Sequence, residues 1–105
     1  DYKSIKFPMG VFQIRNQANG KILIDSSMNL DKIWNRHKFQ LEMGSHRNKR
    51  LQKDWNEFGA ENFFFEILGQ VKYEAENTVN YDQEVKVLAE MFLEELQPFG
   101  ENGYN

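Results

Sequence analysis

The spacing of apolar residues near the start of the chain predicts two short strands joined by a turn. Gly10 to Asn16 and Lys21 to Asp25 are short segments rich in apolar and β-branched residues, a composition typical of strands. The dipeptide Asn19-Gly20 lies between them and tolerates the positive φ angles of a tight turn. The two segments therefore predict a β-hairpin.

Apolar residues after the hairpin recur at helical spacing. Asn29 is predicted to cap a helix that begins near Leu30 and ends at Gly44. A second helix is predicted from Asn48 to Phe58, with Gly59 as its stop. The apolar face consists of Leu30, Ile33, Trp34, His37 and Leu41 in the first helix and of Leu51, Trp55 and Phe58 in the second.

The remainder of the chain predicts one more strand and one more helix. Phe63 to Val71 has the aromatic and β-branched composition of a strand, and the acidic segment Lys72 to Asp82 predicts a loop. Glu84 to Leu96 predicts a helix with Val85, Leu88, Ala89, Phe92 and Leu96 on one face. The order β-β-α-α-β-α predicts an α/β (α+β) fold, in which three helices flank a small, mainly antiparallel three-stranded sheet.

Length and composition exclude several classes of protein. A chain of 105 residues is the size of one domain, here with residues 1–9 as an N-terminal extension. The absence of cysteine excludes disulfide scaffolds and thiol catalysis. No apolar run approaches the ~20 residues that cross a bilayer, so we expect an intracellular, cytoplasmic protein without a membrane partner.

The net charge of −3 is unevenly distributed along the chain. Residues 32–53 carry seven basic side chains and only Glu42 as an acid, whereas residues 54–105 carry twelve acidic and two basic side chains. The basic stretch predicts a phosphate-binding surface for DNA, and a solvated helix face is the alternative. The candidate nucleic-acid-binding residues are Arg15, Arg36, Lys38, Arg47, Lys49, Arg50 and Lys53. Four of them lie at the start of the second helix, where free N–H groups attract anions.

Several segments together resemble one nuclease family. The stretch G-V-F-Q-I-R-N-Q-A-N-G-K-I-L-I-D-S-S, followed by N-L-D-K-I-W-N-R-H, G-S-H-R-N-K-R-L-Q-K-D-W-N-E-F-G, F-F-F-E-I-L and P-F-G-E-N-G-Y-N, resembles a GIY-YIG nuclease domain from Met9 to Asn105. In that family two tyrosines and a histidine help to activate water for phosphodiester hydrolysis. An arginine neutralises the phosphate, and a glutamate on the last helix holds a divalent metal ion.

Most of these functional groups are replaced in this sequence. Phe12 and Leu23 occupy the two tyrosine positions, and Asp25 stands in place of the last glycine of the motif. Ile33 replaces the arginine, and Ala89 replaces the metal-binding glutamate. His37, His46 and Asn105 are retained, and these eight residues are called the motif positions below. The resemblance therefore implies a catalytically degenerate domain that needs no cofactor.

The retained residues have structural interpretations as well. His37 lies on an apolar stripe, which favours a hydrogen-bonded structural role over that of a base. His46 lies in a polar loop, where it contacts a phosphate or nothing, and Asn105 anchors the chain end. Arg36 is one turn beyond Ile33, and its side chain is expected not to replace the missing guanidinium.

Three functions remain open at this point. The first is a degenerate GIY-YIG domain that binds nucleic acid or acts in interactions. The second is an active but divergent endonuclease that requires Mg²⁺. The third is a protein-interaction module that uses the acidic C-terminal half. The sequence leaves the oligomeric state open.

Overall fold

The computed structural model describes residues 7–72 and 80–105 and confirms the predicted element order. The three strands form one antiparallel sheet in the order β2-β1-β3, and the helices flank it. No helix within these residues is long and apolar enough to cross a membrane. The elements are β1 (Met9–Asn16), β2 (Ile22–Ser27), α1 (Leu30–Glu42), α2 (Lys49–Phe58), β3 (Phe63–Val71) and α3 (Tyr81–Leu96), with short 3₁₀ helices at Ala60–Asn62 and Gly100–Asn102.

Some boundaries differ from the predictions. α3 begins at Tyr81 rather than Glu84, because the Asn80 side chain accepts a hydrogen bond from the Gln83 N–H and caps the helix. β1 begins at Met9, which was predicted to belong to the N-terminal extension. Residues 1–6 of that extension and residues 73–79 of the predicted loop lie outside the described residues.

The two faces of the sheet are covered by different helices. Pairing places Phe12 opposite Asp25 and Ile14 opposite Leu23, and Phe12, Ile14 and Leu23 belong to the buried cluster that α1 and α2 cover. α3 packs on the other face, where a side chain at Gly69 would contact its Phe92 and Leu88. Alternation along the strands therefore separates the α1–α2 side of the sheet from the α3 side. The cluster consists of Phe12, Ile14, Leu23, Leu30, Leu41, Leu51, Trp55, Phe63 and Tyr104.

The last residues of the chain lie along the free edge of β2. Gly103 forms a parallel bridge with Ile22, and the Tyr104 N–H donates to the Ile22 carbonyl at 2.8 Å. The Asn105 side chain then bonds both the N–H and the carbonyl of Ile24, each at 2.8 Å. The chain end therefore satisfies backbone groups that an edge strand would otherwise leave open, and Asn105 anchors it as predicted.

Candidate functional site

The fold brings seven of the eight motif positions together, six of them between the sheet and α1 and Asn105 beside them in a small cleft shared with Leu23 and His46. Phe12, Leu23 and Asp25 share the α1–α2 side of the sheet because paired residues in antiparallel strands point the same way. Ile33 and His37 lie one turn apart on α1, and Ile33 packs against the buried cluster. His46 reaches the same place from the loop between α1 and α2.

Apolar packing fills the positions where the family has tyrosines. Phe12 is fully buried, and its ring lies 5.5 Å from the His37 ring and 5.1 Å from the Phe65 ring, measured between centroids. Leu23 is also buried. Neither side chain carries a hydroxyl group that could bind water or a phosphate.

The two histidines form a buried hydrogen-bonded pair. His37 Nδ1 lies 2.8 Å from His46 Nε2, and the rings are stacked 5.0 Å apart. His46 Nδ1 accepts a 3.0 Å hydrogen bond from the Asn48 backbone N–H, which can only donate. The proton of neutral His46 is therefore on Nε2 and is donated to His37 Nδ1. This leaves the proton of neutral His37 on its own Nε2.

The prediction that His46 is a loop residue contacting a phosphate or nothing was wrong. Its side chain is only 1% exposed, and its backbone N–H donates to Gln52 Oε1 at 3.1 Å. Gln52 Nε2 in turn donates to the Leu41 carbonyl at 2.9 Å, which joins α2 to the end of α1. The sequence analysis missed Gln52. Its place between Leu51 and Trp55 on the buried side of α2 was the signal for a buried polar partner.

Burial keeps both histidines neutral. Desolvation, followed by the nearby His46, lowers the pKa of His37 to about 4. Arg47 and Arg36 act in the same direction, while Asp25 opposes them. Desolvation also lowers the pKa of His46, with Arg47 as the next cause.

A cleft of about 430 Å³ opens beside the histidine pair. Arg36 lines this cleft together with Ile33 and His37. α1 turns Arg36 only about 60° from Ile33, so its long side chain reaches the same cleft. That Arg36 does not replace the missing guanidinium stays a prediction. The lining residues are Asp25, Ser26, Ile33, Arg36, His37, Gln40, Ser45 and Arg47.

Asp25 brings a negative charge to the rim of this cleft. Its carboxylate lies 3.5 Å from the Arg47 guanidinium and accepts a 2.8 Å hydrogen bond from the Ser26 N–H. Both charged side chains are solvated, at 39% and 84% exposure, so their ion pair is weak. Arg47 can therefore exchange this carboxylate for another anion at little cost.

Ala89 belongs to α3, whose Leu88 and Phe92 face the other side of the sheet, and it lines neither the large cleft nor a smaller one of about 270 Å³ beside His46 and Asn105. Among residues 7–72 and 80–105, no group of three or more His, Asp or Glu side chains could hold a metal ion.

Comparisons with known proteins agree on one family, although no family model matches the chain. Intron-associated endonuclease 1 of Enterobacteria phage T4 is 37% identical over 65 residues, which are 62% of this chain and 26% of that protein. The structure of the catalytic domain of homing endonuclease I-TevI superposes with a TM-score of 0.75 and 31% identity, covering 92% of this chain and 96% of that one. The structure of a point mutant of the I-TevI catalytic domain superposes with a TM-score of 0.77 and 31% sequence identity, covering 94% of this chain and 93% of that one. The chain belongs to the GIY-YIG nuclease superfamily. It spans about a quarter of the length of the curated relative.

The basic residues of this GIY-YIG domain do not form one surface. Arg15 lies on the α3 side of the sheet, where it pairs with Glu66 at 2.8 Å. That guanidinium, followed by Gln13, lowers the pKa of the Glu66 carboxyl. Arg36 and Arg47 line the cleft instead. Lys38 lies 5.6 Å from the Trp34 ring centroid, and Lys49, Arg50 and Lys53 share an exposed face of α2.

The N-terminus of α2, which the sequence predicts as an anion site, is partly occupied by contacts within the domain. The Asn48 side chain caps the helix by accepting from the Leu51 N–H at 3.0 Å. Arg50 donates to the Gly100 carbonyl and is thereby tied to the chain end. The cleft is therefore the better candidate for phosphate contact, because its two arginines lie beside a buried histidine N–H donor.

Tyr104 and Asn48 hold the loop that carries His46. Asn48 Nδ2 donates to the Tyr104 carbonyl at 2.9 Å, which fixes the position of Asn48. The backbone N–H of Asn48 in turn donates to His46 Nδ1 and so determines the tautomer of His46. The Tyr104 hydroxyl donates to Asp54 at 2.6 Å and accepts from Asn16 at 3.1 Å. Burial, followed by the Asp54 hydrogen bond, raises the pKa of Tyr104 to about 12.

We expect Tyr104→Phe to lower the free energy of unfolding by about 1–3 kcal/mol, because it leaves the fully buried Asn16 amide without its hydroxyl partner. Urea denaturation followed by circular dichroism measures this change. Gln17→Ala is the control, since its 3.4 Å hydrogen bond to Asn62 is exposed. An equal, small loss in both variants would contradict a structural role for the Tyr104 hydroxyl.

Proposed function

We propose that this GIY-YIG domain binds nucleic acid without cleaving it. The observation that carries the proposal is the histidine pair: the one neutral nitrogen of His37 that can accept a proton, Nδ1, already accepts from His46. A general base for hydrolysis needs a free lone pair within reach of water. His37 offers a donor there instead.

The side chains that orient water and bind the metal ion in the family are also replaced. Phe12 and Leu23 supply no hydroxyl to orient water, and Ala89 supplies no oxygen ligand to a metal ion. Arg36 restores a positive charge near Ile33. One restored cation holds a phosphate, but without a base, a hydroxyl that orients water and a metal ligand it does not complete the hydrolytic site.

The cleft has the chemistry of a phosphate site. Its lining includes side chains that donate hydrogen bonds, while the carboxylate of Asp25 at the rim pairs with Arg47. The donors are Ser26, Arg36, His37, Ser45 and Arg47. Each phosphate contacted by a cation releases counterions, so binding through Arg36 and Arg47 weakens steeply with salt.

We expect no metal-dependent cleavage of supercoiled, linear or branched DNA in the presence of Mg²⁺ or Mn²⁺, measured by gel electrophoresis. The catalytic domain of homing endonuclease I-TevI, without the point mutation, serves as the active control. Cleavage that follows the protein through purification and is lost in His37→Ala would overturn the proposal and establish a divergent endonuclease.

Binding is tested separately by fluorescence anisotropy at several salt concentrations. We expect the double substitution Arg36→Ala and Arg47→Ala to reduce affinity about 10-fold or more and to make the salt slope shallower. Arg15→Ala is the matched control because Arg15 is ion-paired on the other side of the sheet. Absence of binding at low salt would instead favour a protein partner for the acidic half.

A further inference from the structure

One exposed stripe on α1 combines apolar and basic side chains next to the cleft. Lys32, Arg36, Phe39 and Met43 follow one another at spacings of four, three and four residues, which places them on one helix face. Phe39 is 63% exposed and Met43 is 66% exposed, the highest values among the large apolar side chains of the described residues. Packing inside the domain therefore does not explain either side chain.

The charge of this stripe is entirely positive. Of the acidic residues of α1, Asp31 is turned about 80° from Phe39, whereas Glu42 lies about 60° from it, on the side opposite to Arg36. The positive charge of the stripe is therefore on its Arg36 side, next to the cleft. Asp25, across the cleft, lies 3.5 Å from Arg47. The stripe therefore favours a partner that carries negative charge next to a flat apolar surface.

The stripe is continuous with the cleft. Arg36 belongs to both, because it lines the cleft and also lies on the stripe. Phe39 lies one turn from Arg36, and side chains at that spacing have Cβ atoms about 5–6 Å apart. This spacing allows one nucleotide to place its phosphate at Arg36 and a base at the Phe39 ring.

We propose that the nucleic acid bound by this domain is single-stranded, with a base stacked on Phe39 and the adjacent phosphate at Arg36 in the cleft. This rests on the proposed function and gives its substrate class. A duplex hides the faces of its bases and offers only phosphates and groove edges to a helix surface. In a single strand every base exposes a π-face, and alternation of aromatic and cationic side chains is the usual way to hold one.

The test is fluorescence anisotropy with a labelled 16-nucleotide single strand of mixed sequence and with the corresponding duplex, at low salt. We expect the wild-type protein to bind the single strand at least 5-fold more tightly than the duplex. Phe39→Ala is expected to weaken single-strand binding about 10-fold and to leave duplex binding unchanged. Phe39→Trp is expected to retain single-strand binding, because a larger ring still stacks.

Phe64→Ala is the matched control for an exposed aromatic ring beside an arginine. Phe64 is 40% exposed with Arg15 5.3 Å from its centroid, but it lies on the α3 side of the sheet. Duplex preference, or an unchanged affinity in Phe39→Ala, would overturn the inference. If either result were accompanied by weaker binding of both single-stranded and duplex DNA in Arg36→Ala, the proposed function would stand. No binding of either form would overturn both.

Discussion

Replacing Gly10 with alanine is expected to lower the free energy of unfolding by about 3–4 kcal/mol or to prevent folding. A Cβ atom at Gly10 would overlap the Gly69 carbonyl oxygen and would lie 2.7 Å from the Gln70 Cα. Both are backbone atoms of β3, so the clash cannot be relieved by a side-chain rotation. The strands would have to separate beside the irregularity between Val11 and Phe12.

Gly44→Ala separates this steric effect from the conformational preference of glycine. Gly44 has a φ of +74°, and nothing lies within 4 Å of a Cβ placed there. Its substitution should therefore cost only the 1–2 kcal/mol of a left-handed backbone. Urea denaturation of both variants measures the difference. Equal losses would show that close approach of β1 to β3 does not explain the requirement at Gly10.

Local signals were sufficient for most of the fold. The Asn19-Gly20 turn, the Asn29 cap and the aromatic run of β3 each act over a few residues, and each matches the structure. The start of α3 was wrong because its acidic first turn was interpreted as a linker. Asp82 and Glu84 instead favour the helix N-terminus through the helix dipole.

The site was less predictable because its contacts are long-range. His46 bonds His37, and Asn48 bonds the carbonyl of Tyr104. No local sequence signal indicates either contact. Resemblance to the motif named the substituted positions, and the assignment of Ala89 to the site stays a prediction. The sheet topology shows that its helix, α3, packs on the other side of the sheet.

Lowering the pH from 6.5 to 4.5 is expected to reduce the free energy of unfolding by about 2–3 kcal/mol through His37. Its folded pKa of about 4 is below its unfolded value of 6.5, so the unfolded state binds more protons between these values. Stability is therefore complete above pH 6.5 and is lost as the pH falls. His46, whose pKa is also lowered, adds to the loss.

The chain has only two histidines, and the carboxyl of Glu66, whose pKa is also lowered, contributes mainly at the acid end of this range. His37→Phe is expected to be less stable at pH 7, since His46 Nε2–H loses its acceptor, but its stability should fall less steeply with acid. Urea denaturation at several pH values measures both effects, and NMR titration gives each pKa directly.

The same titration also decides how the domain functions. Long-range ¹H–¹⁵N spectra are expected to show both rings with the proton on Nε2 at pH 7, because Asn48 fixes His46 and His46 fixes His37. Protonation of His37 would direct two N–H groups at each other, which adds to the low pKa. A proton on Nδ1 of neutral His37 would instead mean that its Nε2 is free to accept a proton from water. That result would remove the main physical argument against catalysis.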